Sequence, residues 1–279
     1  MPDIQRHLAV SQRVAFEDLD WGLAREVGLS ADERAMLEFF TDIESQTVFY
    51  MLEVAKLDVA RQADLMTFLT LWNYEEHFHS VALTRLLHEC GAGDRGAMAR
   101  ACDLRANVRW KARLEDGVQV MIAKLMPRAF LALWMTWGAS QELLTTRAYE
   151  ELGRVTANPV LAELCRRIAK QERRHFAYYY QGARERLAES AMGRRLVRFV
   201  LQRSWSPVGS GVKTTADHVD LVSRMFKGDR LQQVMEHMDE RLGELPGLEG
   251  VQPGTMWAAR IKRFLPAPAP AAAAALAAA

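Results

Sequence analysis

Two words of the form Glu-x-x-His, Glu76-His77-Phe78-His79 and Glu172-Arg173-Arg174-His175, stand 96 residues apart, each in a long stretch without proline. Around both, apolar residues recur at the three- and four-residue spacing of an amphipathic helix. Residues i and i+3 of a helix share a face, so each word aims a carboxylate and an imidazole at one point. A chain with two such pairs on apolar faces must either bring them together or strand charged groups among hydrocarbon.

The remaining pattern is helical too. Met36, Leu37, Phe40, Ile43, Val48, Met51 and Leu52 predict a helix over 31–56, capped by Ser30 with Glu33 completing a capping box. A second helix is expected over about 59–90, stopped by Gly91 and Gly93. The Arg-rich stretch 94–113 predicts a connecting helix. A third long helix, 117–152, should be kinked or divided at Pro127, and a fourth, 159–189, follows the Ala157-Asn158-Pro159 break. Beyond Gly193 come a basic helix (194–203), a loop (206–211) and helices at 215–226 and 230–242. Strand signals are nearly absent. The expected fold is all-α: a ferritin-like four-helix bundle of two helical hairpins with a long crossover, plus a smaller C-terminal helical extension. The expected divisions are an N-terminal extension (1–29), the bundle (30–190), the extension (191–265) and a disordered Ala/Pro-rich tail (266–279). Gly91–Gly96 reads G-x-G-x-x-G, but it follows a helix instead of a strand, so its glycines are helix terminators and no dinucleotide site is expected.

In an antiparallel hairpin, residues at equal depth are equidistant from the turn. Glu142 and Glu172 are centred on Ala157; Glu44 and Glu76 are centred on Ala60. Glu38, Glu53 and Glu150 fit those turns less well. Both halves thus carry a Glu followed by Glu-x-x-His, at separations of 32 and 30 residues. Their helical neighbours, among them Phe40, Val48, Leu69, Trp72, Met135, Ile168 and Phe176, are apolar. A bare carboxylate there would cost on the order of several kcal/mol or take up a proton. Four carboxylates balance two divalent cations. Glu44, Glu76, His79, Glu142, Glu172 and His175 are therefore the candidate ligands of a carboxylate-bridged metal pair, the inward-facing set of di-iron helical bundles. Helical phase puts Glu75, His77 and Arg173 off the core face. His7, His88, His218 and His237 lack partners at ligand spacing and are expected at the surface. Trp72, Trp134, Met135 and Trp137 are expected as core packing.

A formal net charge of +1 excludes a global field toward nucleic acid or membrane. Neither a signal peptide nor a transmembrane segment is expected. Cys90, Cys102 and Cys165 form no C-x-x-C, which fits a reducing cytoplasm.

At these words the chain resembles the soluble acyl–acyl carrier protein desaturases, especially their divergent actinobacterial branch. The strongest likeness is residues 72–83, Trp-Asn-Tyr-Glu-Glu-His-Phe-His-Ser-Val-Ala-Leu, similar to the family's Glu-Glu-x-x-His helix. Residues 158–161 and 168–175 look like its second ligand helix, and Gln141-Glu142-Leu143-Leu144-Thr145 resembles its third-helix word. The likeness covers about residues 30–190. It implies the same six residues as iron ligands, and Thr145 as a group that orients oxygen or relays a proton; alternatively Thr145 bonds back to its own helix. It also implies two iron ions, O2 as co-substrate, electrons from an external ferredoxin-like donor, an acyl chain on acyl carrier protein, and a homodimer. Phe40, Val48, Trp137, Phe176 and Tyr179 would line the acyl site. Arg184, Arg186, Arg194, Arg195 and Arg198 would meet the acidic carrier, unless they form only a solvated basic face. The ligand set alone equally suits a di-iron oxygenase or N-oxygenase, or a ferritin-like ferroxidase without organic substrate. A metal-free helical interaction module is the remaining reading.

Overall fold

The computed structural model describes residues 4–92 and 120–265, with residues 99, 102 and 117 besides. Among them there is no strand. The elements are α1 (Ile4–Val10), α2 (Trp21–Val27), α3 (Ala31–Glu44), α4 (Thr47–Ala55), a 3-10 turn (Asp58–Ala60), α5 (Ala63–Glu89), α6 (Pro127–Val155), α7 (Pro159–Glu189), α8 (Ala191–Ser204), α9 (Thr215–Met225), α10 (Arg230–Gly243), α11 (Pro253–Ile261) and a last 3-10 turn (Lys262–Phe264). The chain is an all-α helical bundle, as the periodicity predicts. Its four long rods are α3 with α4, α5, α6 and α7; α3 and α4 pack on α5, α6 lies along α7, and α5 meets α7.

Local chemistry sets the ends. The Ser30–Glu33 capping box forms as expected. Asn158 accepts from the Val160 and Leu161 amides, and Pro159 occupies the first turn of α7. Gly91, at φ 80°, ends α5: its amide donates to the His88 carbonyl and that of Ala92 to Leu87, a Schellman closure. The rest of the G-x-G-x-x-G stretch, nearly all of the expected connecting helix and the Ala-rich tail lie outside the described residues.

One expected helix differs. The one predicted over 31–56 breaks at Ser45 and Gln46. There Ser45 Oγ donates to the Asp42 carbonyl at 2.8 Å, Thr47 Oγ1 to that of Glu44 at 2.9 Å, and the Gln46 amide to Ile43 at 2.9 Å. Hydroxyls occupy carbonyls near the would-be ladder and the turn tightens. The third helix is divided at Pro127, one of the two outcomes expected: Pro127 starts α6 and residues 120–125 form a separate helical stretch. The short helices α1, α2 and α11 were not expected.

The core has two apolar layers. One contains Phe68, Leu69, Trp72, Met135, Ala139 and Tyr179; the other contains Leu37, Phe40, Leu83, Leu86, Tyr149, Leu161 and Ile168. Each rod passes from one layer to the other, and every sequence-predicted ligand falls at the crossing. Gly138 lets α6 and α7 approach closely there, since a Cβ at this position would come within 2.4 Å of the Tyr179 ring.

Candidate metal centre

Glu44 is the last residue of α3, Glu76 and His79 lie on α5, Glu142 on α6, and Glu172 and His175 on α7. All six are buried, with His79, Glu172 and His175 fully so. They form two groups whose donor atoms lie within 4.8 Å of one another: Glu44, Glu76, His79 and Glu172; and Glu76, Glu142, Glu172 and His175. Glu76 and Glu172 belong to both.

Individual atoms show how the sharing works. Glu172 Oε1 stands 3.1 Å from His79 Nδ1, and its Oε2 is 3.2 Å from His175 Nδ1. Glu76 Oε1 lies 3.0 Å from His175 Nδ1 and its Oε2 4.0 Å from His79 Nδ1. Each of these carboxylates spans the gap between the two imidazoles. Glu44 and Glu142 are terminal. Oε2 of Glu44 faces His79 Nδ1 at 3.6 Å, and Oε2 of Glu142 faces His175 Nδ1 at 3.7 Å. Their other oxygens are held from outside: the Tyr149 hydroxyl donates to Glu44 Oε1, and Trp72 Nε1 donates to Glu142 Oε1 at 3.1 Å. Trp72, expected only as packing, has a polar role as well.

Both imidazoles turn Nδ1 inward and Nε2 outward. His79 Nε2 pairs with Gln171 Oε1 at 2.8 Å, and His175 Nε2 with Glu75 Oε2 at 2.7 Å. An outward nitrogen that donates to an acceptor leaves the inward one with a free lone pair, the usual arrangement of a metal-ligating histidine. Glu76 Oε1, His79 Nδ1 and Glu172 Oε1 are buried without a hydrogen bond of acceptable geometry. Such a convergence of unsatisfied oxygen and nitrogen acceptors suits divalent first-row cations.

The charge balance points the same way. Without a cation, burial and then the charges of Glu172 and Glu44 lift the Glu76 carboxyl well above its ordinary range. Glu142 is pushed up to about 8, first by burial and also by Glu172. Burial works to lower the two imidazoles, but the carboxylates around them raise both well above the usual histidine value. Burial would likewise raise Glu172; the adjacent imidazoles of His175 and His79 outweigh it and hold that carboxyl low. In effect the metal-free layer gathers protons where cations would sit.

Some expectations are corrected. Glu75 is not off the core face but fully buried. Burial alone would raise its carboxyl; His175 and Arg174 bring it down to about 2. His7 is buried 5.1 Å from the Phe68 ring and 5.8 Å from that of Tyr178, and burial, then His175, lowers it to about 4. His218 is buried as well, against Phe39 and Trp257. His88 and His77 are exposed, and Arg173 pairs with Glu150 at 2.5 Å, as their phases imply. Of the five basic residues, Arg194 and Arg198 are occupied by the carbonyls of Leu187, Ala188, Gly247 and Glu249, and Arg186 donates to Gly182. Arg184 and Arg195 are exposed.

Two pockets reach Glu44. The apolar one, a cavity of about 50 Å³ partly open to solvent, lies between α3, α6 and the C-terminal helices; Phe40, Ile43, Thr145, Val222, Met235 and Trp257 are among its walls. Thr145 lines it without donating to its own helix, whereas Thr136 and Thr146 bond back to Ala132 and Glu142. The second, a cavity of about 60 Å³, opens at the α3–α4 break and is lined by Ser45, Thr47, Val48, Asn73, His77 and Ser80. Of the lining predicted from sequence, Phe40 borders the first pocket and Val48 the second; Tyr179 is packed against Phe68, Trp72 and Trp134.

A helical bundle with a buried layer of shared carboxylates and paired histidines defines a class of metal-dependent oxidation proteins. Residues 45–196 match the fatty acid desaturase family, and the chain belongs to that family. Membership places it among iron-dependent oxidoreductases. The match begins one residue after Glu44 and includes the other five candidate ligands. No curated protein matches the chain closely enough to count as a relative. No helix among the described residues is long and apolar enough to cross a membrane.

Proposed function

We propose that the chain is a di-iron oxidase that desaturates a fatty acyl chain carried on acyl carrier protein. The observation that carries this reading is the juxtaposition at Glu44: a six-residue layer of shared carboxylates on one side, and a pocket with apolar walls on the other. Glu44, Glu76 and His79, with Glu142, Glu172 and His175, would hold two iron ions. Those ions would supply the electron transfer to O2 and the oxidising power toward an unactivated C–H bond that no side chain possesses.

The chain's own residues do the rest. Phe40, Val222 and Met235 exclude water and give the acyl chain an apolar wall. Thr145, free of its own helix, offers a hydroxyl at the edge of that wall to orient oxygen or hold a proton. Tyr149 and Trp72 fix Glu44 and Glu142, and Glu76 and Glu172 belong to both groups of donors. In the overall balance, O2 takes two hydrogens from adjacent carbons, two electrons and two protons, giving an alkene and two waters. The electrons would come from a ferredoxin-like donor, and the acidic carrier would meet Arg184 and Arg195. A homodimer in the cytoplasm completes the proposal, with 30–190 as the bundle and 191–265 as an extension that walls the pocket.

The polar pocket at the α3–α4 break supports a second reading, oxygenation of a small polar metabolite. Anaerobic iron loading, reduction, and exposure to O2 with stearoyl- or palmitoyl-loaded carrier protein separates the two. Loss of two hydrogens from the product supports desaturation; gain of one oxygen supports oxygenation; an unchanged acyl chain with every carrier would sink the leading reading.

A further inference from the structure

The outward partners of the two histidines are joined to each other through one dipeptide. The Gln12 amide donates to Glu75 Oε1 at 2.8 Å, and the Gln12 carbonyl accepts from Gln171 Nε2 at 3.0 Å. Ser11 Oγ adds a second bond to Glu75 Oε1, also at 2.8 Å. Glu75 in turn holds His175 and Gln171 holds His79, so each helix orients the histidine of the other. The segment carrying Ser11 and Gln12 is anchored on both sides. Upstream, Ile4 and His7 are buried; downstream, Val14 and Leu19 are buried, and Arg167 donates to the Ala15 carbonyl and pairs with Asp18. It lies outside residues 45–196, the span of the family match.

We propose that residues 11–12 are a positioning strap for the metal centre: the segment fixes Glu75 and Gln171, and through them the tautomer and aim of both ligating imidazoles. The proposal rests on the six-residue metal-centre reading. Side-chain identity at position 12 is immaterial, because both of its bonds are made by the backbone and its side chain is exposed. The Ser11 hydroxyl is not. Nor are the two arms equal: a buried carboxylate faces His175 and a neutral amide faces His79, so the two metal positions differ in the basicity of their histidine.

The test is anaerobic ferrous titration of the full-length protein against a competing chelator, with Mössbauer spectra of the diferrous form. Unmodified protein should bind two irons with two distinguishable sites. Glu75 Oε1 also accepts from Arg174 at 3.1 Å. Gln12→Pro, which deletes the amide donor, and Ser11→Ala should therefore each weaken iron binding by about 3- to 10-fold, short of the roughly 10- to 100-fold lost with a direct outer partner of a ligand. They should chiefly alter one of the two Mössbauer components. Gln12→Ala should leave binding and spectrum unchanged, and Ser11→Thr should restore what Ser11→Ala loses. If Gln12→Pro does not fold, the Ser11→Ala and Ser11→Thr pair decides. Unchanged affinity and spectra in Ser11→Ala and in any folded Gln12→Pro would overturn the strap while leaving the metal centre intact. Failure of the unmodified protein to bind two irons would overturn the metal centre and the strap with it.

Discussion

Neutralising a ligand should make the metal-free protein more stable and the metal-loaded protein less so. Glu142 is the informative position. Its carboxyl is buried and pushed up to about 8, and Trp72 Nε1 donates to one oxygen, a bond that a glutamine amide oxygen can accept. A carboxyl with a folded pKa above its unfolded one keeps its proton longer when folded. It therefore costs nothing well below pH 4.5 and increasingly destabilises the fold as pH rises toward 8. Linkage at about 1.36 kcal/mol per pH unit makes that cost less than about 1 kcal/mol at pH 5 and on the order of 3 kcal/mol at pH 7 and above. Urea unfolding with chelator present should accordingly show Glu142→Gln more stable than the unmodified chain by about 3 kcal/mol at pH 7, with the gap nearly closed at pH 5. Loading both proteins with ferrous iron under argon should reverse the order, since only the chain with its full ligand set gains the binding free energy. A Glu142→Gln protein that is less stable than the unmodified chain at pH 7 without metal would refute the reasoning. It would mean that the buried carboxylate is a structural asset and not a group waiting for a cation.

Four further outcomes are expected. Gly138→Ala places a methyl against the Tyr179 ring and should cost about 1–3 kcal/mol in urea unfolding, the range for overpacking. Glu33 accepts from Ser30, Thr156 and the Ala157 amide, bonds that outweigh burial and hold its carboxyl low; its stabilisation should be present at neutral pH and fade on acidification, and Glu33→Gln should flatten that acid limb. Thr145→Val should leave urea stability within about 1 kcal/mol of the parent yet uncouple O2 consumption from product, seen as released hydrogen peroxide. Leu221→Trp should fill part of the apolar pocket and shift preference to shorter acyl chains in competition between carrier-bound substrates; an unchanged preference would move the acyl site elsewhere.

What could be read from sequence followed from single-helix geometry. The span 159–189 is recovered at both ends because Asn158-Pro159 is an N-cap followed by a first-turn proline. Counting from the turns brings Glu44 and Glu142 to the depth of the two Glu-x-x-His words, where the structure also gathers them, because both hairpins reverse where Ala60 and Ala157 stand and depth in an antiparallel pair is arithmetic. Less was legible where stability comes from packing alone. The helices α1 and α2 are seven residues each, too short for periodicity to show, so His7 looked like a surface residue. The α3–α4 break depends on side-chain hydroxyls bonding carbonyls, which Ser45 and Thr47 permit but do not dictate. The apolar pocket draws its walls from six parts of the chain, and no local pattern encodes that.

Glu75 shows where phase arguments fail. It is turned about 100° from Glu76 on the same helix, which on an ordinary surface helix means solvent. Yet α5 packs on α3 and α4 on one side and on α7 on another, so its buried arc is wide enough to take in both residues. The repeated unit is therefore longer by one than Glu-x-x-His. It is Glu75-Glu76-x-x-His79 and Gln171-Glu172-x-x-His175, with the first residue of each reaching across to the histidine of the other. That crosswise pairing gives the polar residue that precedes the candidate ligand glutamate in both words a structural role. It also means that a substitution at Glu75 should disturb the metal position at His175, 100 residues away, before it disturbs the one at His79, four residues away on its own helix.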